Sequence, residues 1–519
     1  MQERDQHRDT ELLSAPAQTV LCRSGPRQLS WSLREQTSTL FLVVATSSGF
    51  LYEHLADELG QAIDRGALRA GDRLPSVRRF AQERSVSVAT VLEAYMRLEN
   101  AGLIEVRPKS GHFVRRRSVL TAEPRTPRTC STPSRVTVSD AYIKILTAMR
   151  DPELLPLGCA TVDQAYLPIQ ALNRLVIQVT REMTTVGARY EGAPGLLTLR
   201  RQVARRAVEA GVALSENDLC TTIGATEALS LALRAVAKPG DIIAVESPAY
   251  FGVLQTIEGL GLRALEVPAN PRTGLDVSAL EETLRTQPIR AVVVTPTISN
   301  PLGSIMPDEE RERLVRITKR YDVPIIEDDV YAELVFDGSR PRPLRAFAGP
   351  SEDSHVLLVG SVSKTLAPGY RVGWLAGGRW HDQVVRLKYS HTLACPALLG
   401  MAVAEFLASG GYDRHLRRLR AALAGNVERY REMIATEFPE GTRVSAPRGG
   451  FVLWVELPPG VDALQLHDQA LRRRIVIAPG PLFSARQRFA NFIRISAGAP
   501  WSERIAEGLR TLGRLIARE

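Results

Sequence analysis

Cysteine is scarce in this chain, with five residues in 519, at Cys22, Cys130, Cys159, Cys220 and Cys395. They are odd in number, widely separated and never arranged as C-x-x-C. This excludes a disulfide framework and a cysteine-based zinc site. Such usage is typical of a reducing compartment, so we expect a cytoplasmic protein.

Long apolar runs are also lacking. The stretch from Leu40 to Ala45 has six residues, whereas a membrane-spanning helix needs about 20, and it begins too far into the chain for a signal peptide. Hydrophobic residues make up 44% and charged residues 24% of the chain, which is ordinary for a folded globular protein. We therefore predict no membrane segment and, at this length, about three or four structural units.

No block of like charge stands out, although the formal net charge is +9. The excess of Lys and Arg is divided about evenly between residues 1–140 and 141–519. Because the excess is diffuse, it neither indicates nor excludes a nucleic-acid partner. The function has to be inferred from motifs.

Composition divides the chain into four parts. Residues 1–49 are polar, mixed in charge and without a sustained period, which predicts a flexible N-terminal extension. Residues 118–140 contain three prolines among Ser, Thr and Arg and have nothing to bury, and the predicted linker spans 118–150. The linker separates a compact unit at 50–117 from a large unit at 151–519.

The compact unit has the pattern of three helices and a hairpin. Leu51, Leu55, Leu59 and Ile63 recur every four residues, which predicts a helix with one inward stripe. The further expected elements are a helix from Pro75, a helix capped by Ser87 and ending at Asn100, and strands at 103–106 and 112–114. Together they predict a winged helix-turn-helix.

Four segments of this unit resemble the GntR family of DNA-binding domains: GALRAGDRLPSVR at 66–78, SVATV at 87–91, AYMRLE at 94–99, and the wing GLI…SGHFV. The resemblance implies double-stranded DNA as partner. It also implies that DNA is approached by Ser76, Arg78, Thr90, Lys109 and Gly111. These residue types suit the task, because Arg binds guanine or phosphate, Thr bonds phosphate or a base edge, and Gly allows close backbone approach.

The third helix departs from the family at one position. Many members carry an Arg directly after the serine that opens this helix, where this chain has Val88. Base or phosphate recognition at that position therefore stays open. The alternative to a DNA reader is a protein-interaction module, in which Arg78 is an ordinary solvated residue.

Beyond residue 185, short β-branched runs alternate with helical stretches. The runs are 220–223, 242–245, 264–267, 291–295, 324–327, 356–360 and 373–376. This alternation predicts a mostly parallel α/β sheet, and such sheets bind ligands at the carboxyl ends of their strands.

Candidate ligand residues do follow these runs. They are Ala225 and Thr226 after Gly224, then Tyr250, Asn300, Asp328, Tyr331, Ser361, Lys364 and Arg371. A Gly that opens a helix can hold phosphate, since the free N–H groups point at the anion. Each residue alone has a plain structural explanation, such as core packing for Tyr250 or a turn for Asn300.

Together these residues match the needs of pyridoxal 5′-phosphate, which are an amine, a carboxylate for the ring nitrogen, an anion cradle and a ring clamp. Their order and spacing over residues 155–519 resemble the fold type I pyridoxal-phosphate aminotransferases. That resemblance implies a large lobe at about 190–390 and a smaller α+β lobe formed by about 391–519 with 151–189. It implies the catalytic Schiff-base amine on Lys364, ring-nitrogen pairing by Asp328, ring-hydroxyl contacts from Asn300 and Tyr331, stacking by Tyr250, and phosphate binding by Ala225, Thr226, Ser361 and Arg371.

Two further segments fit the same resemblance. Arg494 lies in the apolar run from Phe492 to Ser496, which is costly unless an anion meets it. The resemblance implies that it binds the α-carboxylate of a substrate or effector; the alternative is a structural ion pair. The segment at Tyr190 resembles one that reaches a neighbouring subunit's cofactor, which implies a homodimer.

The combination of a winged helix, a linker and an aminotransferase-like domain resembles the MocR subgroup of GntR regulators, as does the stretch YDRHLRRLR at 412–420. The leading hypothesis is a DNA-binding transcriptional regulator that senses an amino acid or related amine through Schiff-base exchange at Lys364. A second hypothesis is a working aminotransferase in which Lys364 is also the general base. A third is that pyridoxal phosphate itself is the signal.

Overall fold

The computed structural model describes residues 51–518 with gaps. The described ranges are 51–65, 67–68, 72–101, 103–107, 111–114, 122–128, 132–136, 143, 147, 151, 153–183, 185 and 188–518. The chain divides into two compact units, and the boundary between them along the sequence lies between Arg115 and Arg116. The predicted extension at 1–49 and Lys109 lie outside the described residues.

The first unit contains helices α1 (Leu51–Asp64), α2 (Val77–Arg84) and α3 (Val88–Asn100), followed by an antiparallel hairpin of β1 (Ile104–Arg107) and β2 (Gly111–Val114). Its buried core includes Leu55, Leu59, Phe80, Val91 and Tyr95. The fold is a winged helix-turn-helix, as predicted from the spacing of apolar residues.

Two local expectations for this unit were wrong. Leu51 does not join the inward stripe but is exposed, because it is the first residue of α1 and lies at the edge of the core. Helix α2 does not begin at Pro75. Ser76 is its cap, with extended backbone and a side-chain oxygen that accepts from the Arg79 N–H at 3.4 Å, so the first helical residue is Val77.

The second unit is built on a nine-stranded sheet. Its strands are β3 (Ser134–Arg135), β4 (Leu219–Thr222), β5 (Ile242–Ser247), β6 (Arg263–Asn270), β7 (Gly274–Leu275), β8 (Ile289–Val294), β9 (Ile325–Asp328), β10 (Val356–Ser361) and β11 (Gly373–Ala376). They lie in the order β3, β6, β5, β8, β9, β10, β11, β4, with β7 paired to β6. Strands β6, β5, β8, β9 and β10 are parallel, which confirms the α/β prediction.

Strand β11 does not belong to the parallel series in which the sequence placed it. It runs antiparallel to both β10 and β4. The physical reason is the connection from Ser361 to Gly373, which contains no α-helix and is too short for the crossover that parallel neighbours need. The site-facing end of β11 is therefore its beginning, at Gly373.

Helices cover this sheet and lead to a second, smaller sheet. The helices that precede the smaller sheet in the chain are α4 (Ile169–Glu182), α5 (Leu197–Glu209), α6 (Ala225–Val236), α7 (Phe251–Gly259), α8 (Val277–Thr286), α9 (Asp308–Arg320), α10 (His381–His391), α11 (Ala397–Ala408) and α12 (Gly411–Glu437). The strands of the large sheet are buried over nearly all of their length, as expected when both faces are covered.

The smaller sheet is antiparallel throughout. Its strands are β12 (Arg443–Val444), β13 (Val452–Glu456), β14 (Ala478–Pro479) and β15 (Phe492–Ser496), in the order β12, β13, β15, β14. Helices α13 (Ala463–Arg472) and α14 (Glu503–Ile516) share its hydrophobic core with the end of α12. The Leu155 N–H donates to the Arg474 carbonyl at 2.8 Å, so the chain just after the predicted linker also belongs to this lobe.

The described parts of the predicted linker are not without contacts. Pro124 is buried, and Ser134–Arg135 pairs with β6 as the edge strand β3 of the large sheet. The composition suggested nothing to bury, but the extended backbone offers N–H and C=O groups that pair with sheet edges. Among the described residues, no helix is both long and apolar enough to cross a membrane.

Candidate functional site

A cavity of about 190 Å³ lies at the carboxyl ends of the parallel strands. Every residue that the sequence predicted as a cofactor ligand lines it: Ala225, Thr226, Tyr250, Asn300, Asp328, Tyr331, Ser361, Lys364 and Arg371. Thr295 and Ser363 line it as well. The fold therefore gathers residues that are up to 146 positions apart in the chain into one site.

Lys364 lies just beyond the end of β10, and its Nζ donates a hydrogen bond to the Ala160 carbonyl at 2.7 Å. Burial, helped by the charges of Arg494 and Arg371 and opposed by that of Asp328, lowers the pKa of this amine to about 8. A neutral amine is the nucleophilic form of lysine. The site thus holds an amine that is reactive near neutral pH.

Asp328 ends strand β9 and accepts the Val330 N–H at 3.3 Å. Burial, and to a lesser extent the charge of the neighbouring Asp329, raises the pKa of its carboxyl to about 6. A cationic group placed against such a buried carboxylate would restore its charge. This is the electrostatic environment that a protonated ring nitrogen requires.

Asn300 and Tyr331 line the cavity, and with Arg494 behind them they form a hydrogen-bonded row of three side chains. The Nη1 of Arg494 donates to Asn300 Oδ1 at 3.0 Å, and Asn300 Nδ2 donates to the Tyr331 hydroxyl at 3.4 Å. Burial raises the pKa of Tyr331, which keeps the phenol protonated. The ring of Tyr250, which also lines the cavity, packs closely over Gly252. A Cβ atom added to Gly252 would lie 2.5 Å from Cε1 of that ring.

An anion cradle lies where α6 begins. Gly224 has a φ of +75°, and a side chain there would collide with the guanidinium of Arg371. That guanidinium donates to Ser363 Oγ at 3.4 Å and to the Ile223 carbonyl at 3.2 Å, and Ser361 Oγ donates to Ser363 Oγ at 2.7 Å. A helix N-terminus, a guanidinium and two hydroxyls together suit a phosphate group.

Arg494 is fully buried on β15, and burial lowers the pKa of its guanidinium. Its Nη2 donates to the Gly158 carbonyl at 2.5 Å, while Nε is buried without a partner among the described residues. The rings of Phe251 and Phe483 lie 5.4 and 5.1 Å from its guanidinium carbon. Its contacts in the described structure are neutral oxygens and rings, so donors remain for a carboxylate.

The predicted DNA-contacting residues lie in the first unit. Arg78 is exposed on the first turn of α2, and Ser76 caps that helix. The Thr90 hydroxyl lies 2.7 Å from the hydroxyl of Ser87, which caps α3. Gly111 opens β2 with a φ of +103°, and a Cβ there would lie 3.5 Å from Arg73 Nε.

The chain matches two family models. Residues 51–114 match the bacterial regulatory proteins of the gntR family, and residues 163–512 match aminotransferase class I and II. The HTH-type transcriptional regulator YjiR of Escherichia coli is 38% identical over 90% of this chain and 99% of its own length. The regulator YdcR of the same organism is 36% identical over 90% of this chain and 98% of its own. The chain belongs to the MocR-type GntR regulators.

Solved structures of several aminotransferases resemble the second unit of this MocR-type regulator. The α-aminoadipate aminotransferase LysN of Thermus thermophilus, complexed with N-(5′-phosphopyridoxyl)-L-leucine, is 29% identical. The match covers 74% of this chain and 96% of LysN, with a TM-score of 0.68. The fold of the second unit is thus that of a fold type I aminotransferase, and its cofactor is pyridoxal 5′-phosphate. The N-terminal unit is a DNA-binding domain of the GntR type.

The residues present fit this cofactor. The guanidinium-and-hydroxyl cradle suits its phosphate, the raised pKa of Asp328 suits a cationic ring nitrogen, and the lowered pKa of Lys364 suits an aldehyde partner. Sequence reasoning missed Ser363, although it lies between the predicted ligands Ser361 and Lys364. It also missed Glu246, whose pKa is raised to about 8, chiefly by burial and in addition by the nearby charge of Asp328.

Proposed function

We propose that this MocR-type regulator controls transcription by sensing an amino acid or related amine, which displaces Lys364 from pyridoxal phosphate. The observation that carries the proposal is that the complete set of predicted ligands lines one cavity, in a chain that also contains a GntR-type DNA-binding domain.

The cofactor, when bound, supplies an aldehyde carbon that condenses reversibly with amines. Lys364 would hold it covalently, Asp328 would hold the proton on its ring nitrogen, and Asn300 and Tyr331 would bond its ring hydroxyl. Tyr250 would stack on the ring. Ala225, Thr226, Ser361 and Arg371 would bind its phosphate.

Arg494 would bind the α-carboxylate of the incoming amino acid. It is buried, keeps donors unused and reaches Asn300, so a carboxylate there would be tied to the ring-hydroxyl residues. A guanidinium forms bidentate bonds with a carboxylate, which makes it selective for amino acids over simple amines.

The linker offers a route from this site toward the DNA-binding domain, because its described part contacts both lobes. The Glu123 carboxylate pairs with Arg272 beside β6 at 2.6 Å. The Arg125 N–H donates to Glu456 on β13 at 2.9 Å, and the Ala122 carbonyl accepts from Val444 on β12 at 3.0 Å. A ligand that moves one lobe relative to the other must make different contacts in the two lobe arrangements. That difference is the condition for coupling ligand binding to DNA binding.

A homodimer would complete this arrangement. Tyr190 is 83% exposed, an unusual state for a large aromatic side chain. In the aminotransferase pattern its segment reaches a neighbouring subunit's cofactor. Two DNA-binding domains in one assembly would match a two-fold operator.

The second candidate function is a transaminase, and the environment of Lys364 supports it. An amine with a pKa near 8 can act as a general base once it is displaced. Incubation of the loaded protein with amino acids and a keto acid separates the two functions. Rapid multiple turnover supports the enzyme, whereas a spectral change without turnover supports the sensor.

The decisive experiment follows operator binding by the full-length protein during titration with amino acids. We expect a shift in DNA affinity in the wild type and none in Lys364→Ala, whose basal affinity should be kept. Loss of basal affinity in that variant would contradict the separation of sensing from DNA reading. If pyridoxal phosphate alone moves DNA affinity and amino acids do not, the cofactor is the signal.

A further inference from the structure

Helix α3 of the DNA-binding domain carries an exposed apolar stripe. Val88, Leu92 and Met96 recur every four residues, so they lie on one face of the helix. Their exposed fractions are 51%, 47% and 45%. The opposite face packs into the core through Val91 and Tyr95.

The charges around this stripe are arranged for phosphate contact at its edge. Helix α3 has no Lys or Arg before Arg97, and Arg97 pairs with Glu53 of α1 at 3.0 Å. Exposed arginines lie instead on α2, where Arg78 and Arg79 follow the Ser76 cap and Arg79 pairs with Glu83 at 2.7 Å. Because phosphate contacts position a protein and base contacts specify a sequence, this division leaves base reading to the side chains of α3.

We propose that Val88 and Leu92 read the C5-methyl groups of thymine in the major groove, and that thymines at the facing positions therefore specify the operator. The proposal rests on the DNA-binding role proposed above. In the major groove the thymine methyl is the apolar group that a base pair presents, and apolar side chains are its partners. Val88 and Leu92 offer methyl groups and no hydrogen-bond donor or acceptor.

The position along the helix separates these two residues from the third. A helix of this class contacts base edges with its N-terminal residues. Val88 is the first residue of α3, Leu92 lies about 6 Å further along the axis and Met96 about 12 Å further, at a rise of about 1.5 Å per residue. Val88 and Leu92 therefore belong to the first two turns of α3, which contact base edges in this class, whereas Met96 belongs to the third turn.

The test replaces thymine by uracil, which removes only the methyl group. Duplexes are first selected from a randomised library with the full-length, cofactor-loaded protein, and each recurrent thymine is then replaced singly. Burial of one methyl contributes about 0.8 kcal/mol, so we expect about a fourfold loss of affinity at each thymine that α3 reads.

The protein variants assign that loss to residues. Val88→Ala and Leu92→Ala should each abolish the uracil penalty at one thymine position per half-site. Met96→Ala, a matched control on the same stripe, should keep every penalty. All three positions are exposed, so melting temperatures should stay near the wild-type value.

The outcomes are distinguishable. No selected duplex at all would overturn the DNA-binding role itself. Selected duplexes without a uracil penalty, or with a penalty that Val88→Ala and Leu92→Ala leave intact, would overturn the thymine assignment alone. A change in oligomeric state with either variant would also overturn it, because the stripe would then be a contact between two copies.

Discussion

Replacing Arg494 by Met should remove the preference for amino acids over amines. Met keeps an apolar stem of similar reach but has no donor. In the structure the guanidinium is buried and already aimed at Asn300, so a carboxylate bound there would be desolvated. Truncating one partner of such a pair costs about 2–5 kcal/mol, which corresponds to a loss of affinity between about 30-fold and several thousandfold.

The assay compares an amino acid with the amine that lacks its carboxylate, such as phenylalanine and phenethylamine. Each is titrated against the cofactor-loaded protein while the cofactor spectrum is recorded. The wild type should bind the amino acid more tightly by the factor above, and Arg494→Met should bind the two alike. Binding of the amine serves as the internal control, because it reports an intact cofactor site.

A second readout comes from the charge of Arg494, which lowers the pKa of Lys364. In the cofactor-free protein, Arg494→Met should therefore move the pH profile of cofactor capture upward. Arg494→Lys keeps the charge without the planar fork, so it should keep the wild-type profile while losing part of the amino-acid preference. The reasoning is refuted if the wild type does not distinguish the two ligands, or if Arg494→Met still does.

Three further predictions concern reactivity, the phosphate cradle and stability. The neutral amine is the reactive form, and the pKa of Lys364 is lowered to about 8. The rate of cofactor capture should therefore rise about fivefold from pH 7 to 8 and less than twofold from pH 8 to 9. An unperturbed lysine would gain about tenfold at each step. Gly224→Ala should weaken cofactor binding at least about tenfold in an absorbance titration, since the added methyl collides with Arg371, while Gly240→Ala, also at positive φ but with open space, should leave binding unchanged. Lys388→Met should lower the free energy of unfolding, measured by denaturant titration, by about 3–5 kcal/mol, because it leaves the buried Glu227 carboxylate, 2.9 Å from Lys388 Nζ, without its cation. An unchanged free energy of unfolding would contradict a buried ion pair.

Much of the site was predictable from residue type and order. A lysine, an aspartate, a tyrosine and an arginine that each follow a β-branched run must come together if those runs form one parallel sheet, since its carboxyl ends share an edge. The winged helix was predictable for a similar reason, because its helices are marked by caps and four-residue spacing. These signals are local and need no knowledge of distant neighbours.

Other features depend on partners that are far apart in the chain. The Ala160 carbonyl meets Lys364 and the Gly158 carbonyl meets Arg494 only because the segment after the linker folds back onto both lobes. The burial that raises the pKa of Glu246 has the same kind of origin. The residues next to such a backbone oxygen or buried carboxylate in the sequence do not indicate its distant partner. Local sequence patterns therefore cannot predict these contacts.

Side-chain types and local spacings, which the sequence itself contains, predicted which chemistry the large unit can hold and that a winged helix precedes it. Folding settled the reversed direction of β11, the attachment of the linker to both sheets and the unused donors of Arg494. Those depend on which surfaces meet, and packing free energy is summed over residues that no short window contains.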